Sequence, residues 1–112
     1  MEYRDNLILK KILTYCNRLE DNLSRFDNSF DAFKKDVLFQ DACCMCVVQI
    51  GELSCHLSDE FRNSYKDIPW RIIKDTRNLY VHDYGNVDLE LVWNTIIDDI
   101  PVLKNFCEEF VK

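Results

Sequence analysis

The stretch RNLYVHDY, Arg77 to Tyr84, gathers side chains that can hold charge or move protons. Histidine titrates near neutral pH, and arginine grips phosphate oxygens in a fixed fork. Cleaving an RNA strand calls for that combination: a proton moved off or onto a ribose oxygen, and a cation beside the phosphate. Each residue alone has a plainer account. Arg77 could lay its stem along the core and keep its head in water, and His82 could simply favour a helix C-terminus. No HExxH, Walker loop or carboxylate cluster with ligand spacing offers a competing site, so neither a metal nor a cofactor is expected.

These residues must be held by helices. The chain has 112 residues, with only two glycines and two prolines, which predicts long helices in one domain spanning residues 1–112. Apolar residues at steps of three and four (Ile8, Ile12, Tyr15, Leu19, Leu23) predict a first helix from about Asp5 to Leu23. RFDNSFDAF breaks the period as a turn or short helical piece. A second long helix, from about Asp36 to Leu57, is apolar nearly all round and therefore central. Gly51 inside it costs about 1 kcal/mol relative to alanine, and a close helix or subunit contact would explain its presence.

After a loop around RNSYKD, Pro69 sits in the first turn of a third helix that ends at Gly85 and Asn86. Asp88 is suited to N-cap a fourth, whose interior Pro101 should kink it or remove a hydrogen bond near Ile97. The fold class expected is all-α, an up-and-down bundle of four main helices plus a short helical piece. On the third helix Arg77 falls between Ile73 and Trp70, inside the apolar arc, while Asn78 and His82 share another edge. Arg77 and His82 would point roughly 140° apart, so they meet only if the last turn unwinds or a second copy supplies neighbours. Glu52 could pair with Arg77 across the helices or stay solvated. His56 reads as an exposed helix-end residue, and Trp70 and Trp93 as core or interface anchors.

The formal charge of −6 argues mildly against nucleic acid, but its distribution does not. Arg62, Lys66, Arg71, Lys74 and Arg77 face only Asp67 and Asp75 in that segment, and this basic strip leads into the histidine. Arg71 and Lys74 are the cations expected to receive RNA. From Asp83 onward the chain is acidic. Without a basic-then-apolar leader or a run of ~20 apolar residues, a cytoplasmic protein with no membrane span is expected. Its six cysteines, three of them at 43, 44 and 46, then read as buried small hydrophobes rather than disulfides.

RNLYVHDY resembles the R-x4-H-x-Y motif of HEPN-domain ribonuclease toxins, HepT-like branch. VVQIGELSCHLSDEFR, IPWRIIKDTRN and VDLELVWNTIIDDIPVLK are similar to the same family in the same order, from about Asp36 to the C-terminus. The resemblance implies a helical bundle that forms a homodimer, with Arg77 and His82 of both copies lining one cleft. It also implies metal-independent RNA cleavage, possible substrates including tRNA, and a 2′,3′-cyclic phosphate product. Asn78 would orient the site. Tyr84 would be the residue on which a partner, an MntA-like minimal nucleotidyltransferase antitoxin, places AMP as an off switch. The competing reading is a non-catalytic HEPN module that binds nucleotide or serves as the substrate-recognition subunit of a nucleotidyltransferase.

Overall fold

A computed structural model of the chain describes residues 3–82 and 88–111, positions 79–82 by their helical backbone. The regular structure of the described residues is all helical, with no strand among them. The elements are α1 (Tyr3–Arg25), α2 (Phe30–Lys35), α3 (Val37–Cys55), α4 (Asp59–Ser64), α5 (Trp70–His82), α6 (Leu89–Asn94), a π turn (Thr95–Asp99) and α7 (Ile100–Phe110).

α1 buries Ile8, Leu9, Ile12, Cys16, Leu19 and Leu23. Cys16, rather than Tyr15, fills the third place of the expected stripe. Beyond it, Asp27 and Asn28 turn the chain with a φ of 54° each, a conformation that short polar side chains tolerate better than most. Ser29 then caps α2, its hydroxyl accepting from the Ala32 N–H at 3.1 Å. This is the short helical piece the sequence left as turn or helix. It delivers Phe33 to an aromatic cluster with Phe39 and Trp93, in which Phe26 also stacks on Phe39 at 4.2 Å between centroids.

α3 lies between α1 and α5. By length and composition it is apolar enough to cross a membrane; Phe39, Cys43, Val47 and Ile50 are fully buried in the bundle, whereas Val37, Leu38 and Met45 are exposed. Asp36, about where the helix was expected to begin, lies just before it and caps it through the Phe39 N–H at 3.1 Å. Cys16, Cys43 and Cys107 are each pushed up to about 12 by burial, and burial also raises Cys46. Thiolate is the reactive form. In the native protein at pH 8, a thiol reagent should therefore modify half-buried Cys55 first and leave these four unmodified, whereas all six should react after denaturation.

The sequence reading missed α4. Ser58 caps it through the Phe61 N–H at 3.1 Å, and Asp59 and Glu60 occupy its first turn, so the helix start signal was present in a segment taken as loop. Ser58 has a second role. The buried carboxylate of Asp5 accepts from its backbone N–H at 3.0 Å and its hydroxyl at 2.9 Å, tying the start of α1 to the start of α4.

Pro69 immediately precedes α5 rather than lying within it. The predicted end at Gly85 and Asn86 lies outside the described residues. Asp88 caps α6, as expected, through the Glu90 and Leu91 N–H groups. The single fourth helix of the sequence reading is instead α6 and α7 joined by the π turn, in which the Ile100 N–H donates to the Thr95 carbonyl five residues back. Pro101 has no N–H to continue the regular ladder and its ring crowds the carbonyl four residues earlier; the wider turn just ahead of it accommodates both. Thr95 and Thr76 meet by their hydroxyls at 2.8 Å, docking the π turn on α5.

Candidate functional site

The site begins with a missing side chain. α3 and α5 approach so closely at Gly51 that a Cβ there would lie 2.4 Å from Arg77 Cβ, 2.9 Å from Arg77 Cγ and 3.3 Å from the Ile73 carbonyl oxygen. The close contact anticipated at Gly51 is therefore within the chain, and what it admits is the stem of Arg77. Ile73, one turn earlier, is completely buried. The aliphatic part of Arg77 thus runs in the apolar seam between the helices, where the helical wheel placed it.

Its head emerges at the rim. One terminal nitrogen donates to Glu52 Oε2 at 2.5 Å, and the other donates to the Asn78 side-chain oxygen. The pairing of Glu52 with Arg77, left open by the sequence, is made. The Arg77 side chain is only 19% exposed, against 48% for Glu52. Arg77 Nε is buried and has no hydrogen-bond partner. Glu52 is also shared with His56, whose Nε2 lies 3.4 Å from Glu52 Oε1. His56 is exposed and caps the end of α3, as its sequence position suggests.

Three features thus fix the guanidinium: a stem clamped against a glycine, an anion across the helix seam, and a neighbouring amide. Preorganised in this way, it presents a planar cation at the surface with little freedom left to lose on meeting a phosphate. Arg71 and Lys74 lie exposed on the same helix. Arg71 is a loose 3.8 Å from Asp75, and Lys74 has no ion-pair partner among the described residues. Position 82 is the last residue of α5. Asp83 and Tyr84 lie outside the described residues. Trp93 packs in the aromatic cluster of α2, and Trp70, half-buried, lies edge-on to Phe106 at 6.3 Å.

The chain matches the model of the family described as Ribonuclease HepT-like over residues 12–110. It belongs to that family. Among similar proteins, one of Caldanaerobacter subterraneus subsp. tengcongensis named "Putative RNase" is 31% identical over 104 residues, 93% of this chain and 91% of the relative. "Probable ribonuclease HepT" of Thermococcus cleftensis is 31% identical over 73% of this chain and 83% of its own length. A "Putative RNase" of Methanocaldococcus jannaschii is 31% identical over 77% and 71%. No solved structure matches the chain. The match to the HepT-like family takes in α3 and α5 whole, and with them Gly51, Glu52 and Arg77.

Proposed function

We propose that the protein is a metal-independent endoribonuclease toxin whose active site forms where two copies meet, with Arg77 and His82 as the catalytic pair. The observation that carries this reading is the clamped guanidinium at the rim of the α3–α5 seam, in a chain of the HepT-like ribonuclease family. His82 would take the proton of the ribose 2′-hydroxyl or give one to the leaving 5′-oxygen. Arg77 would stabilise charge gathering on the phosphate, and Asn78 would hold Arg77 in direction. The 2′-oxygen attacks phosphorus, the P–O5′ bond breaks, and a 2′,3′-cyclic phosphate remains.

A homodimer is supported by the exposed side of α3. Leu38 and Met45 stand there 80% and 58% exposed, one heptad apart and in line with Glu52 one heptad further on. A second copy seated on that stripe would bring a second Arg77 and His82 to the same cleft, removing the need for the pair of one helix to converge.

The off switch proposed is AMP on Tyr84, placed by an MntA-like nucleotidyltransferase antitoxin. The phenol oxygen would attack the α-phosphorus of ATP, pyrophosphate would leave, and the added phosphate beside the cleft would repel RNA. Such a pair works in the cytoplasm.

Expression in a growing host tests the reading. Wild type should arrest growth and His82→Ala should not, while co-expressed nucleotidyltransferase should restore growth and add an AMP mass to Tyr84. Equal arrest by wild type and His82→Ala would sink it. Glu52 supplies a finer expectation. Glu52→Ala should slow RNA cleavage roughly 10- to 100-fold by releasing Arg77 from its fixed direction, with Glu52→Gln in between, measured as initial rates.

A further inference from the structure

Away from the α3–α5 seam, α4 and the start of α5 enclose an open groove of about 920 Å³. Arg62, Lys66, Arg71 and Lys74 line it, against Asp59 and Asp75. The excess of two positive charges stands on a chain whose net charge is −6. The two acids are already engaged, Asp59 with Arg62 at 2.6 Å and Asp75 more loosely with Arg71. Lys66 and Lys74 are exposed and have no ion-pair partner among the described residues. Arg62 Nε is buried without a hydrogen-bond partner.

The apolar part of the lining is of a different character, built from Ile68, Pro69, Trp70 and Ile72. Ile72 is 48% exposed, and the indole N–H of Trp70 donates to the Tyr65 carbonyl at 3.0 Å, which fixes the ring in place. Cations beside an apolar, partly aromatic surface in one groove match an unpaired strand, which offers phosphates and base faces together. A duplex hides its bases and would leave that apolar lining uncovered.

One stripe of α5 runs from the groove toward the candidate site. Positions 71, 75, 78 and 82 lie at steps of four, three and four along α5 and so form one stripe of the helix. Lys74 and Asn78 are one turn apart, and Asn78 accepts from Arg77. We infer that this groove binds single-stranded RNA and leads it along α5 toward Arg77 and position 82. The inference rests on the ribonuclease reading and adds to it a strand-binding site, bringing in Arg62 and Lys66 on α4 and the turn that follows it. On a chain that is acidic elsewhere, a basic groove also selects the orientation in which RNA arrives.

The test uses a fluorescent 2′-O-methyl strand, which can bind but has no free 2′-hydroxyl to attack with, and the same sequence as cleavable RNA. Lys66→Gln/Lys74→Gln should weaken strand binding roughly tenfold at moderate salt and flatten the log–log salt slope by about 1.4, the loss of two phosphate contacts to a single strand. Lys10→Gln/Lys11→Gln, exposed on α1 and outside the groove, should leave both at wild-type values. A duplex of the same sequence should bind more weakly than the single strand. Equal losses in the two double variants, equal binding of duplex, or polyglutamate binding in place of RNA would overturn the inference. Cleavage separates it from the reading beneath it. Groove-dependent binding without any cleavage of RNA would sink the nuclease and keep the groove, and cleavage with an unchanged KM in the groove variant would do the reverse.

Discussion

Arg77→Ala is expected to reduce RNA cleavage by about 10²–10³-fold while the protein stays folded, the magnitude seen when a single donor to a developing anionic centre is removed. The two halves of that result have separate causes. Alanine keeps the Cβ that packs against Gly51, and the Glu52 carboxylate it leaves behind is half-exposed and can return to water. The fold therefore loses little. The cation at the rim is lost entirely. Arg77→Lys sharpens the point, because it keeps the charge and most of the stem but has one ammonium where the guanidinium reaches Glu52 and Asn78 with different nitrogens. It should recover only a small part of the rate. Initial rates on a labelled strand, beside thermal melting of the same preparations, check both halves.

Gly51→Ala should be nearly as damaging by an indirect route. Alanine favours the helix by about 1 kcal/mol over glycine, so on propensity alone the change would stabilise α3. The space decides otherwise. The new methyl would sit 2.4 Å from Arg77 Cβ and 3.3 Å from the Ile73 carbonyl oxygen, and neither atom is the free end of a flexible chain. α5 has to move away as a body, and overpacking of this kind costs about 1–3 kcal/mol. The net loss of stability should be small, on the order of 1 kcal/mol in denaturant. Cleavage should fall about 10²-fold, since a displacement near 1 Å of a catalytic group is sufficient for that. Rates and stability near wild type in Gly51→Ala would show that the seam opens freely and that Arg77 is not clamped.

The helices that hold the site were legible because their signals are local. The cap at Asp88, and stripes of Ile and Leu three and four apart, are read within one turn of helix. α4 was missed although Ser58, Asp59 and Glu60 announce it, because at six residues it is too short to show a period. Pro101 foretold a disturbance near Ile97 but not its form. Whether the chain kinks or widens into a π turn depends on what Thr95 and Thr76 find across the bundle.

The same division holds at the site. Gly51 advertised a close contact, yet its partner depends on how α3 and α5 are rotated against each other, which no single-helix pattern contains. The Glu52–Arg77 pair was one of two open alternatives that only the packing could decide, and the Asp5–Ser58 tie and the groove between α4 and α5, which also span more than one element, emerged only from that packing. The basic strip from Arg62 to Arg77 was visible as charge. That Lys66 and Lys74 line a groove with Arg62 and Arg71 was not.

The most direct measurement is incubation of purified protein, shown by mass to be unmodified at Tyr84, with total RNA in excess EDTA, beside Arg77→Ala and His82→Ala and followed by end-group analysis. The prediction is cleavage that persists in EDTA, leaves 2′,3′-cyclic phosphate ends and is lost in both variants. Absence of cleavage by the unmodified protein, or cleavage that survives either substitution, would contradict a ribonuclease built on Arg77 and His82.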